Sequence, residues 1–279
     1  MADGAYRWQG MAPAPDPTRV EAIDAAWDEA QVHAFAEPAR ASAIERLERA
    51  LAAARTGDLT EAAAQLTHAR SVLSGLDPAA LEPRRGLAGL FDSRGGRLKR
   101  FRAAYDRAGA TVGEVAGVVT ERIEGVSRRT AGLDEAWIGL RDAVIDLDAH
   151  LLVAVRRLSG AAHDETPHPL HARKTALDAC RAAALQTLPL VRGALGADAR
   201  SADALKACSD GLMAWSQDWK DALGLSGRRP RKVRPDRERL LRVRDEAVRR
   251  IDAGLKALDE ARARQAEVTG RMTGLRNPL

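Results

Sequence analysis

Three of the chain's six histidines lie within nine residues, at His163, His168 and His171, and two acidic side chains, Asp164 and Glu165, stand beside them. Imidazole and carboxylate groups can hold a metal ion, and histidine can also make a contact that depends on pH. The spacing matches no recognised metal signature, and the surrounding prolines favour an exposed turn. We therefore predict a solvated loop with no metal and no cofactor.

Two tryptophans, Trp215 and Trp219, stand one helical turn apart with Lys220 beside them. Their register predicts a single helix face, on which they serve as core contacts or as contacts to a partner helix. The alternative is an exposed docking surface, because tryptophan is enriched where proteins bind one another. Both are candidate partner-binding residues.

Basic residues are concentrated between positions 228 and 250, where eleven lysines and arginines stand against four acidic residues. The first five are also candidate partner-binding residues: Arg228, Arg229, Arg231, Lys232 and Arg234. The local excess of seven charges exceeds the net +5 of the whole chain and can attract nucleic acid or an anionic surface. Aromatic residues for base stacking are not interleaved, so a solvated basic linker is the competing interpretation.

The sequence shows no catalytic motif, whether a nucleophile with its base, a glycine-rich phosphate loop or a metal-binding signature, so we predict that the chain is not an enzyme. Its two cysteines, Cys180 and Cys208, fall at apolar helical positions and predict small core residues rather than a disulfide. Reduced cysteines, no membrane-spanning apolar run and no leader at the N-terminus predict a cytoplasmic protein.

One apolar seam, spaced by three and four residues, predicts the elements that position these side chains. Only Thr130 is polar among its eighteen positions: Leu98, Phe101, Tyr105, Ala108, Val112, Val115, Val119, Ile123, Val126, Thr130, Leu133, Trp137, Leu140, Val144, Leu147, Leu151, Ala154 and Leu158. This period predicts a coiled-coil helix about 90 Å long. Aromatic residues make up only 4 % of the chain, which favours many contacts between closely spaced helices. The predicted fold is all-α, an elongated helical bundle with long coiled-coil helices.

Breaks in the apolar pattern divide the chain into seven segments. They are a disordered N-terminus (1–17), a small helical head (18–76), a linker (77–96), the long coiled-coil helix (97–160), a helical hairpin (167–223) that turns around Gly196 to Arg200, a basic linker (224–235) and a long C-terminal helix (236–275). Proline and glycine at the linkers are the residues that end helices.

Six glycines within the long helix raise two alternatives for its path. They are Gly109, Gly113, Gly117, Gly125, Gly132 and Gly139. A neighbouring helix can approach closely at the first three, or a new helix can begin at Thr111 with Glu114 as its capping partner. The seam keeps its phase across Ala108 and Val112, which favours a continuous or merely kinked helix.

The stretch from Leu87 to Leu158 resembles the toxic anion (tellurite) resistance family, TelA or KlaA. The residues that carry the resemblance are Leu90-Phe91, the basic run from Arg97 to Arg102, Phe101 with Tyr105, Leu133-Asp134-Glu135 and Leu140-Arg141-Asp142. The resemblance implies a cytoplasmic, all-helical protein of tellurite resistance and envelope stress. It also implies an Asn-rich and then Thr-rich helix after the long helix, which Ser201 to Leu223 does not supply.

The function that we predict is therefore non-enzymatic. A helical coiled-coil protein would act by assembly with itself or with another protein, in a stress-resistance setting that the resemblance implies. The alternative is a helical module that binds nucleic acid through the basic stretch 228–250.

Overall fold

Helices make up nearly all of the structure, a computed structural model that describes residues 13–55, 59–82, 93–160, 168–223 and 235–279. The α-helices in these ranges are α1 (Pro17–Ala25), α2 (Glu37–Arg55), α3 (Thr60–Ser74), α4 (Arg94–Gly160), α5 (Leu170–Ala222) and α6 (Arg237–Arg276). Two 3-10 helices, Glu29–Ala34 and Pro78–Leu81, lie between them, and no strand occurs in the ranges described. The all-α prediction of long helices packed as a bundle is confirmed.

The predicted long helix is α4, one uninterrupted helix with no new start at Thr111. Thirteen of the eighteen seam positions are buried and the other five are half-buried. Hydrophobic residues of the chain's own α2, α3, α5 and α6 share core clusters with this seam. The seam is therefore covered without a second copy of the chain.

Two of the α4 glycines, Gly113 and Gly117, do not mark a close helix crossing. A Cβ atom placed on Gly113 or Gly117 meets nothing in the described residues within 4 Å, and on Gly109 it meets only the indole nitrogen of Trp219 at 4.0 Å. Close approach is therefore the wrong explanation for Gly113 and Gly117. The helix remains continuous because burial of the seam outweighs the cost of about 1 kcal/mol per interior glycine.

The hairpin predicted for 167–223 is instead one continuous helix, α5. The expected turn is absent because Ala197, Asp198 and Ser201 are buried at helical spacing and no proline interrupts them. The Ser201 hydroxyl donates to the Asp198 carbonyl at 2.9 Å, so a residue that favours turns is satisfied inside the helix.

The chain forms two compact units. Unit 1 comprises Met1–Thr56, Arg128–Ala197 and Ala263–Leu279, and unit 2 comprises Gly57–Ser127 and Asp198–Arg262. The predicted head (18–76) thus contributes to both units, and the predicted C-terminal helix (236–275) corresponds to α6. Parts of three predicted segments lie outside the described residues. They are 1–12 of the disordered terminus, 83–92 of the first linker and 224–234 of the basic linker.

Candidate functional site

An aromatic cleft in unit 1 is the candidate site, and local capping explains its shape. The Asp16 side chain caps α1 at the Thr18 amide, and Asp28 caps the following 3-10 helix at the Ala30 amide. Both aspartates are N-caps, and each accepts from an amide that a first helical turn leaves open. Because α1 ends at Ala25 and the 3-10 helix begins at Glu29, Trp27 lies in the short connection between them. Trp27 is thereby left half-buried between two short helices.

The cleft has a volume of 720 Å³ and lies among α1, the 3-10 helix, the start of α2 and α4. Its aromatic wall is built edge to face. The rings of Trp27 and Phe35 stand 5.1 Å apart, and those of Phe35 and His150 stand 5.9 Å apart. Offset and edge-to-face ring pairs are the favourable arrangements for aromatic contacts, so these contacts stabilise the wall.

A turn at Ala36 holds Phe35 in this wall. Ala36 has φ 56°, a left-handed conformation that costs a residue with a side chain roughly 1–2 kcal/mol. The Arg173 guanidinium of α5 donates to the Phe35 carbonyl at 2.8 Å and to the Glu37 carboxylate at 2.5 Å. The same guanidinium lowers the pKa of Glu37, with Arg40 contributing in the same direction. Arg173 therefore clamps both sides of the strained turn.

A second hollow of 590 Å³ in unit 1 shares Trp27 and is rich in charge. The Arg157 guanidinium pairs with Asp24 at 2.7 Å and lies 5.5 Å from the centre of the Trp27 ring. Glu29 accepts from the Trp27 indole at 3.1 Å and contacts Nε2 of His168 at 2.7 Å. The ion pairs and hydrogen bonds around Trp27 thus position its ring from several directions.

The predicted tryptophans form a different feature, the aromatic cluster of unit 2, which consists of Phe101, Tyr105, Trp215 and Trp219. Trp215 is 1 % exposed and Trp219 is 2 % exposed, so the structure places both in the core, the first of the two alternatives. A docking surface at these side chains is not present, because α4 covers them through Tyr105. Partner binding by this pair stays a prediction that would require the helices to open.

The basic stretch divides at position 235. The candidate residues Arg228, Arg229, Arg231, Lys232 and Arg234 lie outside the described ranges. In the part that is described, Arg237 pairs with Glu82, Arg239 lies 3.6 Å from Asp218, and Arg250 lies 2.8 Å from Glu246. These arginines are used within unit 2, which reduces the charge that they offer to a nucleic acid.

The structure describes two of the three clustered histidines, His168 and His171. His163 lies outside the described residues, and His171 is exposed on α5. The Leu170 amide donates to Nδ1 of His168 at 3.2 Å, so His168 caps α5 while its Nε2 faces Glu29. Among the described residues, no cluster of three or more histidine, cysteine, aspartate or glutamate side chains could hold a metal ion.

The two cysteines are free and buried, as the sequence predicts. Burial raises the pKa of Cys180 and raises that of Cys208 to about 12, so both thiols stay protonated at neutral pH. The thiolate is the nucleophile in sulfur chemistry, and these two side chains are poor sources of it.

Sequence reasoning did not single out Trp27, Phe35 or His150. The sequence signal that could have found Trp27 is Asp28, a residue type favoured as an N-cap. Because an N-cap begins a new helix, the tryptophan directly before it lies between two helices. Nothing in the sequence marks the contact of Phe35 with His150, because 115 positions separate them along the chain.

These features define an all-α helical-bundle protein with an aromatic cleft formed by short N-terminal helices packed on long ones. The chain belongs to the toxic anion resistance protein (TelA) family, whose family model matches residues 19–195. The suspected resemblance is thereby confirmed, and the match includes every residue of the cleft, whereas Trp215, Trp219 and α6 lie beyond it. Neither a curated protein nor a solved structure matches the chain significantly.

None of the described helices combines the length and the apolarity that crossing a membrane requires.

Proposed function

We propose that this chain contributes to toxic anion resistance as a non-enzymatic, cytoplasmic protein that binds a protein partner at the aromatic cleft. Membership of the family supports the resistance role. The aromatic cleft lies wholly within the matched residues, and this single observation supports its choice as the binding surface.

The arrangement of charge in the cleft favours recognition over catalysis. Arg19 pairs with Asp146 at 3.0 Å, and Nδ1 of His150 donates to the Asp146 carbonyl at 2.8 Å. In the second hollow, which shares Trp27, Arg157 and Asp24 form another pair. Groups that are held by fixed partners position a surface, whereas a catalytic acid or base must be within reach of a substrate proton.

The aromatic wall fits one or two apolar side chains of another protein. Pockets in protein interfaces bind through buried aromatic or aliphatic anchors with a polar rim, and the cleft has both elements in Trp27 with Phe35 and in the ion pairs around them. A second copy of the chain is not needed to cover the α4 seam. We therefore favour a different protein over self-association.

Resistance of cells tests the proposal. The full chain is expressed in its host after removal of the native gene, and growth is measured over a series of potassium tellurite concentrations. We expect the double variant Trp27→Ala with Phe35→Ala to lose resistance at unchanged protein level. The matched control is Trp137→Ala, which removes a half-buried tryptophan of unit 1 outside the cleft.

Equal resistance of the cleft variant and the wild type would refute the cleft as the functional surface. The non-enzymatic part is tested separately, by following the tellurite concentration over hours with purified protein and with NADPH or dithiothreitol. We expect the same slow loss as with heat-denatured protein, and faster loss with the native protein would contradict the proposal. Fractionation of broken cells tests the cytoplasmic location.

A further inference from the structure

The part of the chain that supplies most of the aromatic cleft is acidic. Residues 16–37, which include α1 and the following 3-10 helix, contain six acidic residues and one arginine, Arg19. The net formal charge of this segment is therefore −5, whereas the whole chain carries +5. A cleft beside charge of one sign attracts groups of the opposite sign.

The carboxylate of Asp28 keeps its charge inside this segment. Asp28 accepts from the Ala30 amide at 2.9 Å and from the Gln31 side-chain amide at 3.0 Å, and no lysine or arginine of the described residues forms an ion pair with it. Two other carboxylates of the segment are paired with arginines of unit 1: Asp24 with Arg157 and Glu37 with Arg173. Neutral donors thus position the Asp28 carboxylate without neutralising it.

The formal charges that line the cleft leave one negative charge unmatched. Asp28 and Asp146 line it, and Arg19 is the one lysine or arginine among its described lining residues. Because Arg19 pairs with Asp146 at 3.0 Å, the charge of Asp28 remains. The second hollow is balanced, since two arginines and two carboxylates line it: Arg156, Arg157, Asp24 and Glu29.

We propose that the partner presents a basic apolar segment to the cleft, in which a lysine or arginine stands within a few residues of an aromatic or aliphatic anchor. The anchor packs against Trp27 and Phe35, and the cation pairs with Asp28, which directly follows Trp27 in the chain. Complementary charge of this kind selects among partners that share an apolar anchor. The inference rests on the proposed function, because it names the chemistry of the partner at the same site.

Peptide display on the full chain tests this chemistry. Random peptides of about 12 residues are first depleted on the double variant Trp27→Ala with Phe35→Ala, so that the peptides then selected on the wild type need the cleft. We expect these peptides to combine an aromatic or aliphatic residue with a net positive charge. Neutral or acidic peptides would overturn the inference but leave the cleft as a binding surface. Selection of no peptide would contradict the proposed function as well.

Asp28→Asn tests the charge by itself. Asparagine is as good an N-cap as aspartate, so the 3-10 helix keeps its start while the charge is removed. We expect the tightest selected peptide to bind about threefold to fivefold more weakly at about 50 mM salt, because an exposed ion pair contributes modestly. At about 1 M salt the variant and the wild type should bind nearly equally, since salt screens the pair. Fluorescence anisotropy measures both affinities.

The matched control is Asp16→Asn. Asp16 is also an exposed N-cap of the acidic segment and accepts from the Thr18 amide at the same 2.9 Å, but it does not line the cleft. We expect this control to bind the peptide as the wild type does. Equal affinity of Asp28→Asn and the wild type at low salt would overturn the inference, as would an equal loss in the control.

A second copy of the chain is the competing occupant. Its residues 228–234 would also supply cations beside an apolar side chain, Val233. Sedimentation of the wild type at about 100 μM distinguishes the two, and we expect a monomer. Self-association that Asp28→Asn removes would assign the cleft to a second copy and overturn the inference of a different protein.

Discussion

The aromatic cleft of unit 1 and the aromatic cluster of unit 2 use the same kinds of side chain in opposite ways. In the cleft, the Trp27 indole donates to Glu29 at 3.1 Å, and His168 contacts the same carboxylate. In the cluster, the indoles of Trp215 and Trp219 have no acceptor among the described residues. Donors at the cleft stabilise the shape of a surface, whereas donors in the cluster are buried without a partner among the described residues.

The largest expected change in stability comes from removing one member of a buried ion pair in unit 1. Asp148 is fully buried and accepts from Arg181, whose side chain is 15 % exposed. Asp148→Ala leaves a largely buried guanidinium without this carboxylate, and we expect a loss of about 3–5 kcal/mol in the free energy of unfolding. Urea unfolding followed by circular dichroism measures it.

Asp178→Ala is the control for this change, because the pair of Asp178 with Lys174 lies on the surface of α5, at 44 % and 33 % exposure. We expect a loss below about 1 kcal/mol there. If Asp148→Ala does not fold, Asp148→Asn preserves the shape and still removes the charge. Equal and small losses in Asp148→Ala and the control would show that the pair is not a buried one.

The interior of unit 2 predicts a loss of stability in alkali. Burial raises the pKa of Cys208 from 9.0 to about 12 and that of Tyr105 from 10.0 to about 12. The folded state then holds protons that the unfolded state has released, so the free energy of unfolding falls as pH rises from 9 to 12. Below about pH 8 both groups are protonated in both states and contribute almost no slope.

Urea unfolding at intervals between pH 8 and pH 11 measures this profile. We expect Cys208→Ala to flatten it from pH 9 upward and Tyr105→Phe to flatten it above pH 10. A wild-type profile that is flat to pH 11 would contradict the burial of both groups.

The long helix was predictable and the second long helix was not, for a physical reason that lies in their residues. In α4, the seam residues Leu133, Leu140 and Leu147 repeat every seven positions, and all three are fully buried. In α5, the cue for a turn at Gly196 to Arg200 is local chemistry, which tertiary burial of Ala197 and Ser201 overrides. A periodic apolar pattern can be read from the sequence. Whether turn-favouring residues or tertiary burial decides the local structure cannot.

The candidate sites show the same limit. Trp215 and Trp219 stand out in the sequence by spacing, and their seam register correctly indicates the core. The cleft depends on Trp27, Phe35 and His150, which come together only through the packing of α1 and the 3-10 helix on α4. Contacts between residues so far apart along the chain leave no local pattern.

Alanine substitutions at two glycines, one in each unit, should differ by about 1 kcal/mol in their effect on the free energy of unfolding. A Cβ atom on Gly132 of unit 1 meets nothing in the described residues within 4 Å, so Gly132→Ala should raise the free energy of unfolding by about 0.5–1 kcal/mol. A Cβ atom on Gly211 of unit 2 would overlap the Arg250 side chain. Gly211→Ala should therefore give no gain.

Urea unfolding of both variants at neutral pH measures the difference. A gain at Gly211 equal to that at Gly132 would mean that Arg250 moves away at no cost. Loss of stability in Gly132→Ala would indicate a neighbour that the described residues do not include.

The smallest expected effect concerns the binding of polyanions to the basic stretch 228–250. Arg237 and Arg250 follow position 235 and are ion-paired within unit 2. Residues 228–234 contribute five further cations. Five phosphate contacts there would give a slope of about −4.5 in a plot of log affinity against log salt, which predicts weak binding to duplex DNA at physiological ionic strength.

Charge reversal of Arg229, Arg231 and Lys232 to glutamate tests this directly. We expect it to abolish whatever binding to a 30-base-pair duplex fluorescence anisotropy detects at low salt, because the charges that attract phosphate groups are reversed. Tight binding in 150 mM salt that the reversal removes would favour the nucleic-acid function instead.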